Sequence, residues 1–180
     1  MRVITGTARG TKLLSLKGLQ TRPTMDQVKE GIFSAIQFEV EGRKVLDLFA
    51  GSGQLGIEAL SRGAESAVFV DAQKDACDIV RANLEKTRLT DRASVVQSDY
   101  LGYLSGCRRK FDLVFLDPPY AETFLENALN RISEIDILTQ SGIIICERPY
   151  EKQLSAEYAG FSHYRDYHYG KTAITIYRKL

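Results

Sequence analysis

Cysteine and histidine are scarce in this chain, and the scarcity removes two architectures at once. Cys77, Cys107 and Cys146 form no CxxC pair. An odd number of thiols fits a reducing compartment rather than a disulfide framework. His163 and His168 lie far along the chain from Cys77 and Cys107. No zinc-ligand spacing arises, and no metal is expected. No apolar run reaches the length of a membrane-spanning helix, so no membrane partner is expected. Residues 1–10 (MRVITGTARG) carry no apolar signal region, which points to a cytoplasmic location. Internal repeats, low-complexity tracts and long Gly/Ser linkers are also missing. A net charge of +1 excludes a strongly basic protein that coats nucleic acid.

What is present is ordinary in bulk and uneven in detail. With 44% hydrophobic and 26% charged residues, the 180-residue chain has the composition of one folded domain with a real core. Its charge is not evenly spread. Arg2, Arg9, Lys12, Lys17 and Arg22 all precede the first acid, Asp26. Such a segment suits phosphate contact, and by charge alone it suits a solvated hairpin face equally well.

Residues 1–20 read as a small β-hairpin extension, with short extended pieces at Arg2–Ile4 and Lys12–Leu16. Residues 21–180 read as the main domain. Thr24-Met25-Asp26-Gln27 has the form of a capping box: Thr24 caps a helix that runs to Phe38, and Val28, Ile32, Phe33 and Ile36 share one face. Beyond it the chain alternates. Strands are predicted at Lys44–Phe49, Ser66–Val70, Ser94–Gln97, Phe111–Leu116 and Ile143–Cys146, with helices at Gln54–Arg62 and Lys74–Lys86. Ala173–Tyr177 alternates like an antiparallel strand. Strands apolar on both faces and interleaved with helices indicate an α/β fold: a mostly parallel, Rossmann-like sheet with its last strand antiparallel. Ligands of such sheets bind at the carboxyl ends of the strands.

The first predicted strand ends in Asp47-Leu48-Phe49-Ala50-Gly51-Ser52-Gly53-Gln54-Leu55-Gly56. Glycines there allow a sharp turn and a close approach of backbone to ligand. Asp71 ends the second strand twenty positions after Gly51, where an acid can accept from both ribose hydroxyls of a nucleoside cofactor. The pattern Gly51-x-Gly53-x-x-Gly56 suits NAD and S-adenosylmethionine alike. Asp47 favours the second, because a carboxylate can serve the amino-acid end of that cofactor but is unfavourable beside a pyrophosphate. Asp99 and Tyr100 follow the third strand and should face the adenine. Asp99 fits a helix N-cap equally well, and the two roles are compatible.

The most specific feature is Asp117-Pro118-Pro119-Tyr120, directly after Phe111–Leu116. Two prolines give a rigid turn. An exocyclic amine on an aromatic ring is a poor nucleophile because its lone pair is delocalised. Asp117 and the carbonyl of Pro118 can each accept one amine hydrogen, orienting the nitrogen and stabilising the charge that develops on it. Tyr120 can stack on the base. Methyl transfer then requires only that two ligands be held in line.

With these motifs the chain resembles the bacterial 16S rRNA guanine-N2 methyltransferases of the RsmD family. The resemblance runs over nearly the whole length. It includes Arg2-Val3-Ile4-Thr5-Gly6, Arg9-Gly10-Thr11-Lys12-Leu13 and Thr21-Arg22-Pro23-Thr24 with Asp26, Val28, Glu30 and Phe33. It continues through Asp47–Ala64 and Asp117–Tyr120. The opening segment and the TRPT stretch narrow the match, since the glycine loop and DPPY occur in many amine methyltransferases. The resemblance implies a seven-stranded methyltransferase fold with a small N-terminal hairpin, and S-adenosylmethionine as methyl donor. It implies 16S rRNA, met in a partly assembled small ribosomal subunit, as partner. Asp117, Pro118, Pro119 and Tyr120 match the target-amine motif. Asp47, Gly51, Gly53 and Asp71 match cofactor positions, and Asp99 with Tyr100 matches the less uniform adenine-side loop. Gln54 stands where the family often has a small residue.

Arg9, Lys12 and Arg22 are candidates for RNA contact; Arg22 could instead meet the methionine end of the cofactor, and it reads equally well as a surface arginine. The Tyr164, Tyr167, Tyr169, His163, His168 and Lys171 cluster suits base stacking but reads first as packing of the terminal sheet. Cys77 and Cys146 read as core fillers. A monomer is expected, because a domain of this size offers little surface for both RNA and a large self-interface. Three alternatives stand beside this reading: an adenine-N6 or protein-glutamine methyltransferase, a nicotinamide-dependent oxidoreductase that leaves DPPY idle, and a non-catalytic assembly factor.

Overall fold

The computed structural model describes residues 1–17, 23–120 and 123–180, and for Pro23 and Thr24 the backbone alone. The chain runs α1 (Pro23–Ala35), β1 (Lys44–Asp47), α2 (Gln54–Ser61), β2 (Ser66–Asp71), α3 (Lys74–Thr87), β3 (Ala93–Gln97), α4 (Tyr100–Gly106), β4 (Phe111–Leu116), α5 (Phe124–Ile135) and β5 (Leu138–Pro149). Three further strands close it: β6 (Glu157–Tyr158), β7 (Phe161–Tyr169) and β8 (Thr172–Lys179).

All eight strands form one sheet in the order β3-β2-β1-β4-β5-β8-β7-β6. β3, β2, β1, β4 and β5 are parallel, and β8, β7 and β6 pair antiparallel. The α/β class and the antiparallel last strand are as expected. The eighth strand is the two-residue β6 at the edge, one more than the seven implied. From β1 the chain winds outward through β2 to β3, then returns to place β4 on β1's other side. That reversal between β1 and β4 is the topological switch point where such sheets open a crevice.

The sheet is buried on both faces because its strands carry apolar side chains in both directions. One core unites Val28, Ile32 and Phe33 of α1, Leu55 and Ile57 of α2 and Val80 and Leu84 of α3 with Val45, Phe69, Phe115 and Ile145 of the sheet. The opposite core sets Leu104 of α4 and Leu125, Leu129 and Ile132 of α5 against Leu46, Val68, Val114 and Ile144. Alternation along each strand divides the two sets.

Several boundaries differ from expectation. Helix α1 starts at Pro23, so Thr24 lies inside the first turn and does not precede it. Proline's fixed φ suits the first helical position. The helix stops at Ala35, and Phe38 is 91% exposed where the chain turns toward β1. Strand β5 has 12 residues where four were predicted, because Leu138 pairs with Phe111 of β4 and the polar Glu147–Pro149 end pairs with β8. Helix α5 was not predicted, although Leu125, Ala128, Leu129 and Ile132 carry the i, i+3, i+4, i+7 signal of a buried stripe.

The N-terminal hairpin is a single antiparallel bridge, Arg2 with Lys12. Val3, Ala8 and Leu13 are buried in the same core as α1 and α2. A buried charge network anchors the segment. Glu58 of α2, fully buried, accepts the amides of Ile4 (2.9 Å) and Thr5 (3.0 Å) and lies 3.6 Å from the equally buried Lys29 ammonium. Lys29 donates to the Arg2 carbonyl at 2.7 Å. Burial pulls the Lys29 pKa down, and the Glu58 carboxylate opposes the shift. No helix among the described residues is long and apolar enough to cross a membrane.

Candidate active site

Four acids stand at the carboxyl ends of four neighbouring strands: Asp71 on β2, Asp47 on β1, Asp117 just beyond β4, and Glu147 on β5. The residues two places before them, Phe69, Val45, Phe115 and Ile145, all face the core beneath α1, α2 and α3. By the two-residue period of a strand, the four acids share that face. The crevice therefore has an acidic crest, and the switch point lies between Asp47 and Asp117.

The glycine loop leaves β1 at this crest. Gly51 has φ +56°, a left-handed conformation costly for any residue with a Cβ. A Cβ built on Gly51 meets nothing within 4 Å, so this face of the loop is open. Gly53, at φ 80°, caps α2. Gly56 answers a different demand: a Cβ there would lie 2.3 Å from the Phe69 ring, so its absence lets α2 pack down on β2. Two acids hold the loop. Asp71 Oδ2 accepts the Gly51 amide at 2.9 Å while its Oδ1 accepts from Gln73 at 2.9 Å. Asp47 Oδ2 accepts the Gly56 amide at 3.1 Å. Asp47 is 1% exposed. Burial pushes its pKa up to about 7, the Gly56 amide opposes the rise, and the Asp71 charge adds to it.

Asp99 follows β3 and caps α4, accepting the Gly102 amide at 2.9 Å. Tyr100 packs against Phe49 and Phe124, each with ring centroids 5.1 Å away. This aromatic group walls the crevice on the α4–α5 side, and Phe49 and Phe124 are the members that sequence reading did not single out.

Asp117-Pro118-Pro119-Tyr120 leaves β4 beside the loop. Asp117 is half-buried, Pro118 buried and Pro119 exposed, and Tyr120 is 48% exposed. Burial raises the Asp117 pKa well above the carboxylate range, and the charges of Glu147 and Asp47 raise it further. The Tyr120 hydroxyl donates to Glu147 Oε1 at 3.0 Å and lies 3.3 Å from Thr172 Oγ1 at the start of β8. Burial raises the Glu147 pKa too, and the Tyr120 hydrogen bond partly offsets it. Glu147 and Thr172 are site residues that sequence reading missed. In the sequence Glu147 is a charge after an apolar run, and only the β4–β5 register, with Leu116 opposite Cys146, sets it beside Asp117.

The other candidates divide. Arg9 and Lys12 are exposed on the N-terminal segment, away from any ion pair among the described residues. Arg22 lies outside the described residues. Tyr167 and Tyr169 pack on the core as expected, whereas Tyr164 is 52% exposed with the Arg178 guanidinium 4.3 Å above its ring. Cys77 and Cys146 are buried.

The arrangement can hold a nucleoside-bearing ligand against the open glycine loop with Asp71 at its edge. It can also present a second, amine-bearing ligand to Asp117 across the switch point. The chain is similar to known proteins over nearly its whole length. The model of a family described as Conserved hypothetical protein 95 matches residues 1–178. A Bacillus subtilis protein, YlbH, named as a candidate rRNA methyltransferase, is 42% identical, with 99% of each chain covered. Ribosomal RNA small subunit methyltransferase D of Escherichia coli K12 is 32% identical, covering 99% of this chain and 90% of its own. Among solved structures, the methyltransferase candidate yhhF of Escherichia coli superposes with a TM-score of 0.87 at 32% identity, covering 99% of this chain and 97% of that one.

Proposed function

This chain belongs to the Conserved hypothetical protein 95 family, and from that premise we propose that it is an rRNA methyltransferase. It moves a methyl group from S-adenosylmethionine to the exocyclic N2 amine of a guanine in 16S ribosomal RNA. The observation that carries the reading is the position of Asp117-Pro118-Pro119-Tyr120 next to the Gly51–Asp71 crevice at the switch point. Relatives in Escherichia coli and Haemophilus influenzae bear the name ribosomal RNA small subunit methyltransferase D, which supports the substrate class.

S-adenosylmethionine supplies a methyl group on positively charged sulfur. Asp71 binds the ribose, since each of its oxygens keeps a lone pair beyond its backbone hydrogen bond. Gly51 and Gly53 let the chain run close beneath the cofactor, and Asp47 fixes that turn below its amino-acid end. Asp99 and Tyr100 border the adenine. On the other side, a side-chain oxygen of Asp117 and the Pro118 carbonyl accept the two amine hydrogens and aim the lone pair at the methyl carbon. With the cofactor bound, the N–C bond would form as the S–C pair returned to sulfur, and one amine proton would leave past Asp117 to solvent. Asp117 stabilises the positive charge passing through the nitrogen. Tyr120 stacks on the base. Arg9 and Lys12 of the N-terminal extension, residues 1–20, meet RNA phosphate and position it without reading sequence.

The test is transfer of labelled methyl to unmodified small subunits and to naked 16S RNA, followed by nucleoside digestion. Label in N2-methylguanosine is the expected result, and the better substrate fixes the assembly stage. Label solely in N6-methyladenosine would overturn the choice of base.

A further inference from the structure

Glu147 has no task in the reaction as stated, yet its setting is costly. It lies beside Asp117 on the same face of the sheet, and neither carboxylate has a cation partner among the described residues. Two neighbouring, half-buried acids without a counter-charge destabilise a fold unless a ligand uses them. Nor do they form a metal site: among the described residues no three His, Cys, Asp or Glu side chains are grouped to hold an ion. The Glu147 carboxylate is oriented, however. Oε1 accepts from Tyr120, the last residue of the target-amine motif, and Thr172 steadies the same hydroxyl from β8. Oε2 accepts no hydrogen bond among the described residues.

We infer that Glu147 is a specificity residue that accepts the N1–H of the target guanine through Oε2 while Asp117 and Pro118 hold its N2 amine. The inference rests on the proposed function and names the contact by which that site chooses its base. The edge of guanine places the N1–H donor beside the N2 amine, so two adjacent acceptors on the protein match adjacent donors on the base. Adenine presents a lone pair at its N1, and a carboxylate there meets acceptor with acceptor. A site built to receive a hydrogen bond rejects an analogue lacking the donor far more strongly than a merely apolar pocket would.

A suitable analogue is 2-aminopurine, which keeps the amine on C2 but has a bare N1 and no O6, so the response of its preference to Glu147→Gln reads the N1 contact. The experiment places guanine or 2-aminopurine at the nucleotide the native protein methylates, in otherwise identical 16S RNA, and measures kcat/KM for the native protein and for Glu147→Gln. The native protein is expected to prefer guanine about 10,000-fold. Glu147→Gln, whose amide can donate to the bare N1, is expected to narrow that preference about tenfold or more. A merely structural role would slow both substrates alike and leave the preference unchanged. An unchanged preference in a folded Glu147→Gln variant overturns the inference, and so does a native protein that methylates both bases equally. The native measurement keeps the test decisive if the variant does not fold. No transfer to guanine-bearing RNA at all overturns the proposed activity, and this inference with it.

Discussion

The Gly51 amide donates to Asp71 Oδ2 at 2.9 Å, which ties the turn after β1 to the end of β2 twenty residues later. The glycine loop and the acid proposed to receive the cofactor's ribose are thus one hydrogen-bonded unit. A Cβ on Gly51 would project into the open side of this unit, at a φ of +56°. Gly51→Ala is expected to cost about 1–2 kcal/mol of stability and to weaken S-adenosylmethionine binding tenfold or more, roughly the loss of one good contact. Calorimetric titration and urea unfolding read the two effects separately. Gly56→Ala should do the reverse. Its Cβ would run into Phe69, so the loss falls on stability, about 1–3 kcal/mol, from overpacking.

Asp117 is expected to carry turnover and not cofactor binding. Asp117→Ala should lower kcat by about 100- to 1,000-fold, the range seen when one preorganised electrostatic partner is removed. Calorimetry should show S-adenosylmethionine binding nearly intact. Asp117→Asn keeps an acceptor oxygen and should lose less. Equal kcat in the native protein and Asp117→Ala would remove Asp117 from the mechanism.

Asp47 makes stability depend on pH with a defined sign. Its pKa is about 7 in the folded protein, whereas an unfolded aspartate titrates near 3.9. Between those values the folded state binds more protons, so stability falls as pH rises. The contribution of Asp47 is fully present below about pH 4 and is lost as pH passes through about 7. Asp117 and Glu147, also raised, act in the same direction. In Asp47→Asn the side-chain oxygen can still accept from Gly56, and no charge is ever buried. Urea unfolding at several pH values should show a shallower slope and roughly 2–4 kcal/mol more stability than the native protein at pH 8. A slope as steep as the native one would rule out Asp47 as its source.

Glu58 should matter to stability far more than a helix-surface glutamate. It accepts from Ile4, Thr5 and Arg62 and neutralises Lys29 in the interior. Glu58→Ala leaves a buried ammonium without its partner, which costs about 3–5 kcal/mol. It also frees two backbone amides of the N-terminal segment. Unfolding midpoints together with faster proteolysis of residues 1–17 are the expected signs. Unaltered proteolysis would mean that the segment is held by Val3, Ala8 and Leu13 alone.

The sequence by itself determined what is local and repetitive in this protein. Runs such as Phe111–Leu116, apolar toward both faces, read correctly as buried parallel strands, and the observed β4 has those bounds. Gly51, Gly53 and Gly56 marked a turn, whereas the hydrogen bond from Gly51 to Asp71 was not part of that reading. DPPY was visible because two adjacent prolines after such a strand have few other uses.

What only the tertiary structure decided is which charges lie inside. Glu58 and Lys29 were not singled out in the sequence, and their burial comes from a segment 54 residues away in the chain for Glu58 and 27 for Lys29. Glu147 follows the predicted strand Ile143–Cys146 and was not singled out either. Pairing of β5 with β4 and β8 lengthens that strand and brings the carboxylate to Tyr120, 27 residues earlier. Periodicity reports how a side chain points relative to its own element. The dielectric and the partners it meets are set by strand order and register, which arise from contacts summed over the whole chain.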